Sequence, residues 1–358
     1  MKTFKSKNGE IKLPVFFPDA TRAVIRSLDT EDIEETKTLG ILVNTYHLYT
    51  ELGKRVIKKF GGVRKFMNWK GGVISDSGGF QVMSLCKRYD GKVTDEGVFF
   101  NLSKKKRVKL TPEKSIQYQM LIKPDMLVVL DDFTMPQASY NQAKETVERT
   151  ILWAKRCKDE FEKICLKDKI KDPPYLLAVI QGGDHLDLRQ DCAERLLKIG
   201  FDGYGYGGWP IDGDGKFNYE VAEQIVKDIS KGHFLYGLGI GKPDEVVRLA
   251  KMGFNIFDCV LPTRDARHGR LYVYTAELIE EIDLEVKPFF KYFSPKKQKY
   301  YHDTKPVSTA CDCLLCTKYS RAYLNHLFKI KDSTAGRLAT IHNLRFYAIL
   351  MEKLSRTF

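Results

Sequence analysis

Eight short runs of apolar, β-favouring residues recur along the chain. Each is followed by a turn and then by a longer stretch with helical spacing of its apolar residues. The runs are Val15–Phe17, Ile41–Asn44, Val73–Ser75, Met126–Leu130, Leu177–Ile180, Phe201–Tyr206, Phe234–Leu238 and Ile256–Asp258. Between them, Tyr140–Ile164 and Asp187–Ile199 read as helices, and Thr111-Pro112-Glu113 reads as a helix start with Thr as N-cap and Pro in the first turn. Strand–helix alternation of this kind favours a parallel sheet, and eight units favour closure into a (β/α)8 TIM barrel over an open sheet. A length of 358 residues would also allow two domains, but the alternation selects one α/β barrel with an appendage. With 43% hydrophobic residues a large core can form, which excludes disordered, collagenous and disulfide-stapled mini-proteins.

The alternation stops after Leu271, which divides the chain into a barrel catalytic domain, 1–271, and a C-terminal zinc-binding subdomain with helices packed on the barrel, 272–358. Within the barrel, Lys87–Leu110 reads as an inserted antiparallel excursion turning at Asp90-Gly91. No stretch approaches the roughly 20 apolar residues of a membrane span, and Met1–Pro14 has no signal-peptide core. Of eight cysteines, five are scattered and three lie between 311 and 316, a distribution that suits a reduced cytoplasmic enzyme with one metal site.

Barrel enzymes keep their chemistry at the C-terminal ends of the strands, and polar residues collect there. Asp76-Ser77-Gly78-Gly79 follows the third run, Asp131-Asp132 the fourth, Gln181-Gly182-Gly183 the fifth, Gly207-Gly208 the sixth and Gly239-Ile240-Gly241-Lys242 the seventh; Asp258 closes the eighth. Asp76, Asp131 and Asp258 converging on one mouth would raise one another's pKa values. Paired carboxylates suit chemistry at an anomeric carbon, one as nucleophile and another moving the proton. Gln181 and the glycine backbones offer groups that read a heterocycle edge, and Phe80 could stack on a base.

Cys311, Cys313 and Cys316 place three soft ligands within six residues, and a histidine would complete a closed, structural tetrahedral Zn2+ site. His342 is one candidate for the fourth position and His326 the other. The chain carries a net charge of +13, which favours polyanionic partners, nucleic acid first among them. Basic residues cluster at 104–107 and at 296–299, the second cluster flanked by Tyr292, Phe293, Tyr300 and Tyr301.

These pieces together resemble the tRNA-guanine transglycosylases (queuine tRNA-ribosyltransferases), over nearly the whole chain and in order. The resemblance rests on Asn44-Thr-Tyr-His-Leu48, Asp76-Ser-Gly-Gly-Phe-Gln-Val82, Gln181-Gly-Gly183, Gly203-Tyr-Gly205 through Gly207-Gly208, and Gly239-Ile-Gly-Lys-Pro243. It continues through Phe257-Asp-Cys-Val-Leu-Pro-Thr-Arg264, Ala266-Arg267, Tyr319-Ser-Arg-Ala-Tyr-Leu324 and Ile341-His-Asn343. The chain looks like the bacterial form.

The resemblance implies exchange of a wobble guanine in tRNA for a 7-deazaguanine base, with Asp258 as nucleophile and Asp76 as general acid/base. It implies Asp131, Gln181 and Gly208 as purine-edge readers, Phe80 as the stacking ring, Leu238 over the base, and Arg264 and Arg267 as RNA contacts. It also selects Cys311, Cys313, Cys316 and His342 as zinc ligands, leaving His326 aside, and makes the helix around Tyr319–His326 a homodimer surface. The base pocket departs from the bacterial pattern at Trp209-Pro210-Ile211-Asp212-Gly213, at Asp132-Phe133 and at Leu238. These departures make queuine, alone or alongside its aminomethyl precursor, the expected incoming base. Transglycosylation of DNA and a non-catalytic partner subunit are the alternatives; the retained Asp76 and Asp258 speak against the second.

Overall fold

The computed structural model describes residues 3–79, 84, 86, 88–103, 106–211, 214–229 and 232–357. An antiparallel hairpin of β1 (Thr3–Ser6) and β2 (Gly9–Lys12) precedes the main sheet. The main sheet begins with β3 (Val15–Pro18), β4 (Gly40–Asn44) and β5 (Gly72–Asp76). An antiparallel insertion follows, β6 (Lys92–Thr94), β7 (Gly97–Ser103) and β8 (Lys106–Leu110). The main sheet resumes with β9 (Met126–Val128), β10 (Tyr175–Ile180), β11 (Gly203–Tyr206), β12 (Phe234–Gly237) and β13 (Ile256–Cys259). Its eight strands are all parallel, and successive strands are hydrogen-bonded neighbours from β4 round to β13 and on to β3. A parallel bridge between Asp19 and Leu42, with Ala20 N–H donating to Leu42 O at 2.7 Å, brings the sheet's two ends together. The expected barrel is present, and each of the eight apolar runs carries one of its strands.

The helices begin where local chemistry places them. Thr111 accepts a hydrogen bond from Lys114 N and caps the helix Pro112–Ile122, while Ser139 and Gln142 form a reciprocal capping box for Tyr140–Lys167. The insertion has the expected antiparallel form but a different turn. Asp90, at φ +46°, and Gly91 end the helical residues around Cys86 and Arg88, with Gly91 N–H donating to Cys86 O at 2.7 Å. The β6–β7 hairpin turns instead at Asp95-Glu96, where Trp153 Nε1 donates to Asp95 O at 2.9 Å. The left-handed signal of Asp-Gly therefore serves a helix end. Lys104 and Lys105 of the first basic cluster lie outside the described residues.

The barrel lumen is filled from below. Phe4, Ile11 and Leu13 of the N-terminal segment pack with Val15, Phe17, Leu42, Ile74, Met126, Val128, Leu177, Val179, Phe234, Tyr236 and Ile256 in one buried cluster. Phe4 meets Phe17 and Phe234 edge-on, each at 6.1 Å between centroids. On β11 the lumen positions are glycines: a Cβ on Gly205 would stand 2.1 Å from Leu238 Cδ1. Side chains of a strand alternate between faces, so two residues beyond each plug residue the lumen face reaches the mouth. That step leads from Phe17 to Asp19, Leu42 to Asn44, Ile74 to Asp76, Val179 to Gln181, Tyr236 to Leu238 and Ile256 to Asp258.

Beyond the barrel, β14 (Leu271–Tyr274) pairs antiparallel with β15 (Phe290–Phe293). Helices Leu314–Lys318, Arg321–Ile330 and Ser333–Thr357 follow, the last packing against β3, β14 and the helix Leu261–Arg267. Among the described residues, no helix is long and apolar enough to cross a membrane. Phe17 is fully buried at the centre of the plug. Phe17→Ala should lower unfolding free energy by roughly 3–5 kcal/mol in urea titrations, the range for a buried aromatic whose cavity cannot collapse.

Candidate active site and metal centre

Asp76 ends β5 with its carboxylate held by three donors. Oδ2 accepts from Asn44 Nδ2 at 2.8 Å; Oδ1 accepts from Gly78 N at 3.3 Å and from Ser77 Oγ at 3.4 Å. Burial over the plug nevertheless raises its pKa above the ordinary carboxylate value. Gly78 is at φ +80°, and a Cβ there would lie 2.8 Å from Tyr46 Cβ, so the turn that aims its N–H at Asp76 requires glycine.

Asp258, on β13, accepts at Oδ1 from Tyr236 Oη at 2.7 Å and from Gly239 N at 2.8 Å. Burial pushes its pKa up to about 7 despite these donors, and the charges of Asp76 and Asp19 add to the rise. Asp131 accepts at Oδ2 from Gln181 Nε2 at 2.6 Å and is also raised to about 7, by burial first, with Asp76 and Asp132 adding to it. The mouth thus gathers three carboxyls, two of which hold their protons to near neutrality. Such a set can deliver a nucleophile and a proton carrier at the same pH.

Gln181 is the joint of the pocket. Its Oε1 accepts from Thr134 N at 3.1 Å while its amide nitrogen serves Asp131, so both groups are oriented by the β9 and β10 loops. Gly207 and Gly208 lie against it: a Cβ on Gly207 would stand 2.7 Å from Gln181 Nε2, and one on Gly208 3.3 Å from Oε1. Leu238 is half-buried beside Gly205. Asp132, by contrast, turns away from the mouth. It is buried, ion-paired with Arg149 of the helix Tyr140–Lys167, and its N–H donates to Thr150 Oγ1 at 3.0 Å. Phe80, Asp212 and Gly213 lie outside the described residues. Asn44, Tyr236 and Thr134 were not singled out by their chemistry in the sequence, the first two being embedded in apolar runs.

Arg264 and Arg267 lie on the short helix that follows β13. Arg264 is exposed, and Arg267 is half-buried, its Nη1 buried and without a hydrogen-bond partner among the described residues. Burial lowers the pKa of Arg267, and Arg26 and Arg264 lower it further, so three cations share this rim.

In the C-terminal segment, the donor atoms of Cys311, Cys313, Cys316 and His342 all lie within 4.8 Å of one another, and all four residues are buried. His342 Nδ1 stands 3.7, 3.6 and 3.3 Å from the three sulfurs. Its Nε2 faces Tyr272 O at 2.7 Å. A carbonyl only accepts, so Nε2 carries the proton and Nδ1 turns its lone pair on the thiols, as a ligand imidazole does. This donor set could hold a metal ion with no position left open. His326 sits on the exposed face of its helix, away from this group. Next to His342, Asn343 Nδ2 donates to Pro262 O at 2.9 Å and Arg270 O at 3.1 Å, which ties the metal-binding helix to the segment carrying Arg264 and Arg267.

Comparison with known proteins agrees with this architecture. The family model described as queuine tRNA-ribosyltransferase matches residues 1–357. A queuine tRNA-ribosyltransferase of Shewanella sp. (strain W3-18-1) is 36% identical over 347 residues, covering 97% of this chain and 87% of the relative. That of Staphylococcus aureus (strain bovine RF122 / ET3-1) is 36% identical over 348 residues, 97% of this chain and 86% of the relative. One from Caldanaerobacter subterraneus is 37% identical over 352 residues, 98% and 87%.

Two outcomes follow from the geometry. Elemental analysis of the purified wild type should find one bound metal per chain; Cys316→Ala should lose it with a fall in Tm of several degrees, whereas His326→Ala should retain it. Asp131 and Asp258 keep their protons to about pH 7 when folded but only to about pH 4 when unfolded. Their burial therefore costs no stability below pH 4, and stability is lost as pH rises towards 7 and stays lost above it. Asp131→Asn removes one such penalty. Its Tm should exceed wild type by several degrees at pH 8, with the gain vanishing near pH 4 in parallel thermal scans.

Proposed function

Because the chain belongs to the queuine tRNA-ribosyltransferase family, we propose that it exchanges the wobble guanine of tRNA for a 7-deazaguanine base by double displacement at Asp258. The observation that carries this reading is the carboxyl set at the mouth, with Asp258 and Asp76 each held by its own donors. Both donors to Asp258 use Oδ1, which leaves Oδ2 to attack the ribose anomeric carbon. The bond to guanine N9 breaks as the bond to Oδ2 forms, and Asp76 gives its proton to the departing base. The incoming base returns a proton to Asp76, and its N9 displaces Oδ2, so two inversions retain the configuration.

Asp131, Gln181 and Gly208 are read as the purine-edge contacts. A carboxylate accepts from N1–H and the 2-amino group of guanine, and the second hydrogen on Gln181 Nε2 and the Gly208 N–H are donors suited to O6. Leu238 packs over the base, and Phe80 is assigned the stacking role on the family pattern. Arg264 and Arg267 are assigned to backbone phosphate, which the shared cationic rim and the buried Nη1 of Arg267, unpartnered among the described residues, support. The ion held by Cys311, Cys313, Cys316 and His342 is read as one structural zinc, since three thiolates and an imidazole in a closed set suit Zn2+. Tyr319 and Tyr323, exposed and stacked at 5.1 Å, support a homodimer surface on the helix Arg321–Ile330. Eight unpaired thiols suit a cytoplasmic setting.

For the incoming base, the reading is queuine, alone or alongside its aminomethyl precursor. Two features favour a base with a larger substituent. Asp132 is engaged by Arg149, outside the pocket. A cavity of about 310 Å³, lined among others by Thr134, Gly183, Asp184, His185 and Trp209, adjoins the base-reading loops.

Labelled guanine should be chased out of tRNA but not out of DNA, and Asp258→Ala should lower the rate by about 10³-fold or more. When queuine and the aminomethyl base compete, queuine should appear in the tRNA; incorporation of the aminomethyl base alone would contradict the assignment of the base, and exchange on DNA alone the assignment of the polymer.

A further inference from the structure

Arg189 lies in the helix Leu186–Ile199 with 1% of its surface exposed, and among the described residues no carboxylate is paired with it. Its guanidinium donates instead to two backbone carbonyls, from Nη1 to Ile180 O at 2.6 Å and from Nε to Gly183 O at 2.9 Å. The Tyr206 ring lies alongside, its centroid 5.1 Å from the guanidinium carbon. A buried cation with no direct ion pair is costly to desolvate, and the charge of Asp184 offsets that cost only in part.

The two carbonyls bracket Gln181-Gly182, so one rigid fork holds both ends of the peptide that presents Gln181. The contact continues on either side. A Cβ on Gly182 would stand 2.9 Å from Arg189 N, and one on Gly208 3.4 Å from Arg189 Nη2 and 3.3 Å from Gln181 Oε1. Gln181 and Gly208, which come from different strand ends, therefore share Arg189 as their common backing.

We propose that Arg189 is a positioning residue for base recognition: its guanidinium clamps the β10 turn and braces Gly208, which together fix the purine-edge pocket. This rests on the reading of Gln181 and Gly208 as base contacts. Only a planar fork can span both carbonyls while its other edge backs Gly208; an ammonium keeps the charge but reaches one acceptor at a time. The consequence falls on the base and leaves tRNA binding alone, because the cationic rim of Arg264 and Arg267 stands after β13, on other strand-end loops.

The test is steady-state guanine exchange with the metal-loaded full chain, comparing wild type, Arg189→Lys, Arg189→Met and Gln181→Ala. Arg189→Lys should raise KM for guanine about 10-fold, the effect of a small misplacement of contact groups, and leave KM for tRNA within about twofold. Arg189→Met should raise KM for guanine further, and should it not fold, Arg189→Lys carries the comparison. A fall in Tm or kcat with KM for guanine unchanged in Arg189→Lys would show a merely structural role and overturn the proposal. If Gln181→Ala raises KM for guanine and Arg189→Lys does not, the positioning role fails while the pocket reading stands; if neither variant does, the pocket reading fails as well.

Discussion

The apolar plug in the lower barrel is the constraint on which the chemistry depends. Phe4, Phe17, Ile74, Phe234 and Ile256 exclude water from the lumen directly beneath Asp76 and Asp258. Carboxyls seated on such a floor lose hydration on one side, and that loss, more than mutual repulsion, leads the rise in their pKa values. Hydrogen-bond donors offset part of that rise at both carboxyls. Tyr236 and the Gly239 amide stabilise the charge of Asp258, whereas Asp76 draws on Asn44, Ser77 and Gly78. The two carboxyls thus sit on one apolar floor in different hydrogen-bonded settings.

The buried cysteine–histidine group is tied to the barrel through its covalent neighbours. His342 joins the cysteine group, and the adjacent Asn343 bonds Pro262 O, Arg270 O and the Tyr272 N–H. Arg345, one turn further on, is paired with Asp312 between two of the cysteines. Tyr347 donates from its hydroxyl to Gly241 O in the loop after β12. A single helix therefore couples the cysteine loop to two strand ends of the barrel, including the one that carries Asp258. The cysteine–histidine group is thereby anchored to the rim beside Asp258.

Much of this was legible in the sequence because it depends on periodicity. All eight barrel strands lie within or beside apolar runs, and the lumen alternation carries Asp76, Gln181 and Asp258 to the mouth without any distortion. What periodicity could not resolve lies where the regular pattern ends. β9 stops at Val128, and the irregular chain beyond it decides that Asp131 faces the pocket while Asp132 meets Arg149; two adjacent aspartates carry no sign of that division. His326 and His342 were equivalent by residue type until the family resemblance chose His342, and the fold sets its Nδ1 among the three sulfurs. Asp90-Gly91 announced a positive-φ position but not whether a hairpin or a helix end would use it. Arg189 resembled any charged residue on an amphipathic helix, since its partners are backbone carbonyls that no side-chain pattern reveals.

The central claim is that Asp258 forms a covalent bond to the ribose of tRNA. Mass spectrometry of the denatured protein after incubation with tRNA and 9-deazaguanine, beside Asp258→Ala, measures it directly. A tRNA-linked adduct in the wild type that is lost in the variant is the predicted result. No adduct from folded, metal-loaded wild type, or an adduct that persists in Asp258→Ala, would contradict the account.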